Sequence, residues 1–105
     1  MKEPLLHDLY MGFIRIHILY HASKKGVYGV WLMEELARHG YQVGPGTLYP
    51  MLHALEEKGM LVSETEVVKG KRRRYYRITE YGKRAMENAR AHIMELSKEI
   101  NEEEA

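Results

Sequence analysis

Lys69, Lys71, Arg72, Arg73, Arg74 and Arg77 crowd into one stretch, VKGKRRRYYRIT (residues 68–79), around Gly70 and beside Tyr75 and Tyr76. Cations at this density repel one another unless water or a polyanion neutralises them. On a nucleic acid each can take a phosphate and release a counterion; the alternative is a solvated surface loop. A second constellation is His17 and His21, four residues apart and able to share one helical face, the spacing at which two imidazoles hold one metal ion. Two ligands do not complete a site, and the third would have to come from His7, His92 or a partner chain. The plainer expectation is two half-buried rings at a subunit interface, each with one hydrogen bond; a metal- or haem-responsive role is the alternative.

Other chemistry is thinly represented. There is no cysteine, which removes thiolate metal sites, disulfides and cysteine nucleophiles. The chain carries no Gly-rich phosphate loop, no HExxH and no nucleophile elbow. Glu34–Glu35 and Glu56–Glu57 read as solvated helix faces. No enzyme activity, cofactor or bound metal is expected.

The elements that must position the cations follow from periodicity. Leu5, Leu9, Phe13, Ile16 and Leu19–Tyr20 recur at helical steps, which predicts a helix over about 5–24, closed by Lys24, Lys25 and a Gly26 stop. A second helix is expected over about 28–39, with Trp31, Leu32, Leu36 and Ala37 apolar, ending at His39-Gly40. A third, about 45–58, starts at Pro45, keeps Leu48, Leu52 and Leu55 on one stripe, and ends at Lys58-Gly59. Residues 61–68 and 73–79 then favour strands around a turn at Lys69-Gly70-Lys71, a hairpin spanning about 61–79. Thr79 can cap a last helix, in which Met86, Ala89, Ile93, Leu96 and Ile100 follow a heptad-like seam.

This order is a mainly α fold with a small β-hairpin: a winged helix-turn-helix over residues 1–79, then a long C-terminal dimerisation helix and acidic tail over 80–105. In such a unit the second helix of the pair enters the major groove of double-stranded DNA with its N-terminal residues against base edges. Gly46, Thr47, Tyr49, Pro50 and His53 are left off the core stripe and are the candidates. Lys69, Lys71, Arg72, Arg73 and Arg74 would hold the backbone through the wing. Pro50 either kinks the first turn, opening amides to a phosphate, or simply stiffens it. Strand alternation puts Tyr76 and Ile78 on the core face, with Tyr75 and Arg77 on the other.

Length and charge agree with that reading. At 105 residues and 45% hydrophobic, one domain with a packed core is expected. The net charge of +1 conceals a dipole. Residues 69–90 hold nine Lys and Arg against two Glu, a net +7, whereas residues 91–105 hold one Lys against five Glu, a net −4. A local basic patch attracts polyanions whatever the total. MKEPLLHDLY lacks the basic-then-apolar order of a signal peptide, and no apolar run reaches a membrane span, so a cytoplasmic protein is expected.

GTLYPMLHALEEKGML (46–61), followed by GKRRRYYRITEYGKRAM (70–86), closely resembles the PadR family of bacterial and archaeal transcriptional regulators, in its short form. The likeness runs from residue 5 to about 90, with YGVWLMEEL (28–36) at the family's second helix. It departs at Val43-Gly44-Pro45-Gly46, where a serine often precedes the proline, at Tyr28, where histidine is common, and at His17 and His21, where aliphatic residues are usual. The resemblance implies a homodimer, with the C-terminal helix on the partner's first helix, and repression relieved by a ligand. Candidate interface residues are Leu5, Leu9, Phe13, Met86, Ala89, Ile93, Leu96 and Ile100. Tyr10, Phe13, Trp31 and Met94 could line a space for a flat hydrophobic effector, although Trp31 read plainly is core. Two recognition helices about 34 Å apart predict a pseudo-palindromic operator. A winged-helix protein-interaction module without DNA binding is the alternative function.

Overall fold

The computed structural model describes residues 3–102, and the remainder of the acidic tail, 103–105, lies outside the described residues. Six elements follow in order: α1 (Pro4–Lys24), α2 (Gly29–Arg38), α3 (Pro45–Glu57), β1 (Leu61–Val68), β2 (Lys71–Ile78) and α4 (Glu80–Asn101). Helix starts coincide with residues that can satisfy or dispense with a free amide. Glu3 accepts from the Leu6 amide at 2.9 Å, Pro4 and Pro45 open α1 and α3, and the Thr79 hydroxyl accepts from Gly82 N at 3.0 Å.

Two helices end on left-handed glycines, Gly40 (φ 91°) and Gly59 (φ 80°), which fold Tyr41 N back to Leu36 O and Met60 N back to Leu55 O. Gly26 is not such a stop. The chain leaves α1 extended at Lys25, and Val27 pairs with Tyr76 through two backbone hydrogen bonds of 2.9 and 2.7 Å. The segment between α1 and α2 thus adds a one-residue third strand to the hairpin and anchors the wing to the helices.

The core is built from Ile14 and Ile18 of α1, Leu32 and Leu36 of α2, Leu48 and Leu52 of α3, with Val27 and Leu61, all essentially inaccessible. The expected α1 stripe is therefore mostly its second apolar face. Leu19 is buried, but Leu5 (72% exposed) and Leu9 (48%) point away from the core, and Phe13 and Ile16 are only half-buried. α1 packs against α4, β2 and α2, while Leu5 and Leu9 near its start stay open among the described residues.

The hairpin pairs Val68 with Lys71, so the turn is the two residues Lys69 and Gly70, at φ 53° and 78°. Positive φ at both positions is the turn that matches strand twist. Its tightness starts β2 at Lys71, two residues before the expected strand. Tyr76 is buried and Ile78 packs against the core, as alternation predicts.

α4 leaves the body at Gly82, where a Cβ would run into the Met60 carbonyl oxygen and the Ile78 side chain. Gly82→Ala is expected to destabilise the protein by about 1–3 kcal/mol, as overpacking does, measured as a lowered urea midpoint; an unchanged midpoint would refute the tight approach. Beyond this junction the 22-residue helix projects, giving the molecule extents of 62 × 32 × 22 Å.

Candidate nucleic-acid interface

The first turn of α3 carries no side-chain cap, and Gly44, Pro45, Gly46 and Thr47 are all exposed. Leu48, Met51, Leu52 and Leu55 face inward, so Tyr49, Pro50 and His53 are left outward, as the stripe required. The helix runs unbroken through Pro50. The Thr47 and Leu48 amides both donate to the Gly44 carbonyl, at 3.1 and 3.0 Å.

Tyr49 is held over the start of α2. A Cβ on Gly29 would overlap its ring and hydroxyl, so that glycine lets the tyrosine lie flat against the backbone. Around it lies a hollow of about 670 Å³, lined by Tyr28, Gly29 and Tyr49 on one side and by Lys71, Arg72, Arg73 and Arg74 on the other. Tyr49 alone of the recognition-helix candidates therefore meets the basic hairpin in this cleft, whose wall holds four cations against the single carboxylate of Glu34.

The cations divide into two groups. Arg73 stacks its guanidinium 4.5 Å from the Tyr28 ring, which in turn meets Tyr75 edge-on at 5.3 Å. Arg74 donates to the Ser63 hydroxyl at 3.1 Å, and Ser63 donates to Glu56 at 2.6 Å. Arg77 pairs with Glu64 at 3.0 Å. Lys69, Lys71 and Arg72 are exposed and have no ion-pair partner among the described residues. Charges left in water with no internal partner cost least to transfer to a phosphate.

Residues 18–88 match the transcriptional regulator PadR-like family. The chain belongs to the PadR-like family of transcriptional regulators. It is 53% identical over 95 residues to the transcriptional regulator Rv3488 of Mycobacterium tuberculosis, covering 90% of this chain and 89% of that one. A PadR family regulator from Eggerthella lenta superposes with a TM-score of 0.81 at 31% identity, covering 92% of this chain and 86% of its own. A PadR-like transcription factor from Bacteroides fragilis gives 0.79 at 26% identity, covering 94% and 97%. The winged-helix fold and the regulatory, non-enzymatic class follow, and among the described residues no helix is long and apolar enough to cross a membrane.

Within this PadR-like frame, the expected interface residues make a seam on α1 and α4 that is exposed except at Phe13, Met86 and Ala89. Leu5, Leu9, Leu96 (51%) and Ile100 (70%) are open, Ile93 is 36% exposed, and Met86 and Ala89 are partly covered. The four expected effector residues do not come together. Phe13 and Met94 line a hollow of about 630 Å³ between α1 and α4, with Ile16, Tyr20, Tyr41 and Met86 among its walls. Tyr10 is turned away because the Gln42 amide donates to its hydroxyl at 2.6 Å. Trp31 packs edge-on against His21 and under the Lys25 ammonium, 4.4 Å from its ring.

Sequence reasoning missed Tyr28, Gly29, Glu35 and His39. Tyr28 was visible only as a departure from the family pattern. Glu35 is no solvated residue: its side chain is 12% exposed and pairs with Arg38 and His39, at 2.6 and 3.0 Å. Glu56, bonded to Ser63, is likewise only half-exposed.

Proposed function

We propose that this PadR-like regulator is a cytoplasmic homodimeric repressor that binds a pseudo-palindromic operator in double-stranded DNA. Gly46, Thr47, Tyr49, Pro50 and His53 meet the major groove, and the wing cations grip the flanking phosphates. The observation that carries this reading is the single cleft shared by Tyr49 and the stretch Lys71–Arg74. Exposed apolar residues along α1 and α4 support the dimer, and the 630 Å³ hollow beside that seam supports a small hydrophobic effector.

The test is fluorescence anisotropy of a labelled duplex from the region upstream of the protein's own gene, beside an unrelated duplex, at several salt concentrations. Preference for the cognate duplex by about 10³-fold or more is expected. With about four phosphates neutralised per subunit, log affinity should fall against log salt with a slope near −7. Binding to neither duplex at low salt would overturn the reading and return the winged-helix protein-interaction module.

A further inference from the structure

The third histidine that the α1 pair needs is present, from an unexpected place. His39 caps the C-terminus of α2 and lies over His17 with ring centroids 4.9 Å apart, while His21 stacks near both, at 6.0 Å from His17 and 6.1 Å from His39. Ring nitrogens of the three all fall within 4.8 Å of one another. His7 instead sits beside Asp8, and His92 is exposed on α4. His21 Nε2 is buried with no hydrogen-bond partner among the described residues. An unpaired buried ring nitrogen is costly unless something fills the position it faces.

What it faces is a carboxylate. Glu35 Oε2 lies 3.0 Å from His39 Nε2 and 3.7 Å from His21 Nε2, and Arg38 holds the other oxygen at 2.6 Å. Three imidazoles and one oriented carboxylate are a donor set for a borderline divalent cation such as zinc, cobalt, nickel or copper. Ligand atoms of a tetrahedral ion lie roughly 3.4 Å apart given metal–nitrogen bonds of about 2.1 Å. Closing from 4.8 Å requires modest side-chain rotation, for which the 42% exposed His39 side chain has room.

We infer that His17, His21 and His39, with Glu35 completing or orienting the set, form a divalent transition-metal site that joins α1 to the turn preceding α3. Burial lowers the pKa of both His17 and His21, with the His39 charge lowering both further and Glu35 opposing. Burial acts to raise the Glu35 pKa, but hydrogen bonds from His39 and Arg38 outweigh it and keep the carboxylate ionised.

The test is titration of the full, tag-free chain with Co²⁺ in the absence of DNA, so its outcome is independent of operator binding. A visible ligand-field band saturating at about one equivalent per chain and displaced by Zn²⁺ is expected. His39→Ala, at a half-exposed position that leaves the core intact, should abolish the band, and Glu35→Gln should weaken affinity by about 10–100-fold. His7→Ala and His92→Ala should titrate as the parent protein does. No saturable band, or a band that survives in His39→Ala or vanishes in His7→Ala or His92→Ala, overturns the site. Circular dichroism of each variant separates lost ligation from lost folding.

Discussion

Replacing Lys69 by Asn and Lys71 and Arg72 by Ala together is expected to weaken binding to cognate and unrelated duplexes alike, by at least about 100-fold at 50 mM salt. These three side chains form no ion pair among the described residues, so their removal takes charge from the hairpin without dismantling the fold. Asparagine at position 69 keeps the turn, because Lys69 has φ 53° and Asn-Gly favours this geometry. A dimer loses six cationic contacts, so the salt slope should flatten from about −7 to about −2. Arg73→Ala and Arg74→Ala are poorer tests, because they also unstack Tyr28 and release Ser63. Thr47→Ala and His53→Ala touch no phosphate-holding group of the wing, and should change sequence preference while leaving the slope nearly intact. A triple variant whose slope equals that of the parent would show that the wing does not carry the affinity.

The parts of this molecule legible in its sequence are those fixed by neighbours along the chain. Thr79 capping Gly82 N, the left-handed Gly40 and Gly59, the Lys69-Gly70 turn and the Leu48–Leu52–Leu55 stripe are each local devices, and each stands where its residue types put it. Periodicity was ambiguous where a helix is apolar on two sides. For α1 it picked out Leu5 and Leu9 and left the core to Ile14 and Ile18. Contacts between distant segments left no periodic trace. The Val27–Tyr76 bridge needs α1 to end extended, and the Tyr10 hydroxyl is captured by the Gln42 amide, 32 residues away. His39 joins His17 and His21 only because α2 packs across α1, so spacing along the chain, which suggested His7 and His92, pointed at the wrong partners. Glu35 misled for the same reason: beside exposed Glu34 it reads as a charged surface pair, yet one helical step turns it toward the α1 histidines.

Leu96→Glu is expected to convert the protein to a monomer at about 10 μM, read by sedimentation or light scattering, with far-ultraviolet circular dichroism unchanged. Leu96 is 51% exposed within its own chain, so glutamate there costs the isolated fold little. In a two-fold dimer each copy of the substitution falls in the same shared seam, and an unpaired carboxylate buried in an interface costs about 3–5 kcal/mol. Weakening of dimerisation by about 10³-fold or more follows. Leu96 does not line the hollow between α1 and α4, so loss of the dimer is not confounded with loss of a ligand bound there. Operator affinity should fall with it, because a single chain presents one recognition helix and half the wing cations. Two results would break the chain of reasoning at different points. A monomeric parent protein at the same concentration would mean that the open faces of α1 and α4 are not covered by a second copy. A dimeric Leu96→Glu variant would mean that they are covered, but on a seam that bypasses the distal half of α4.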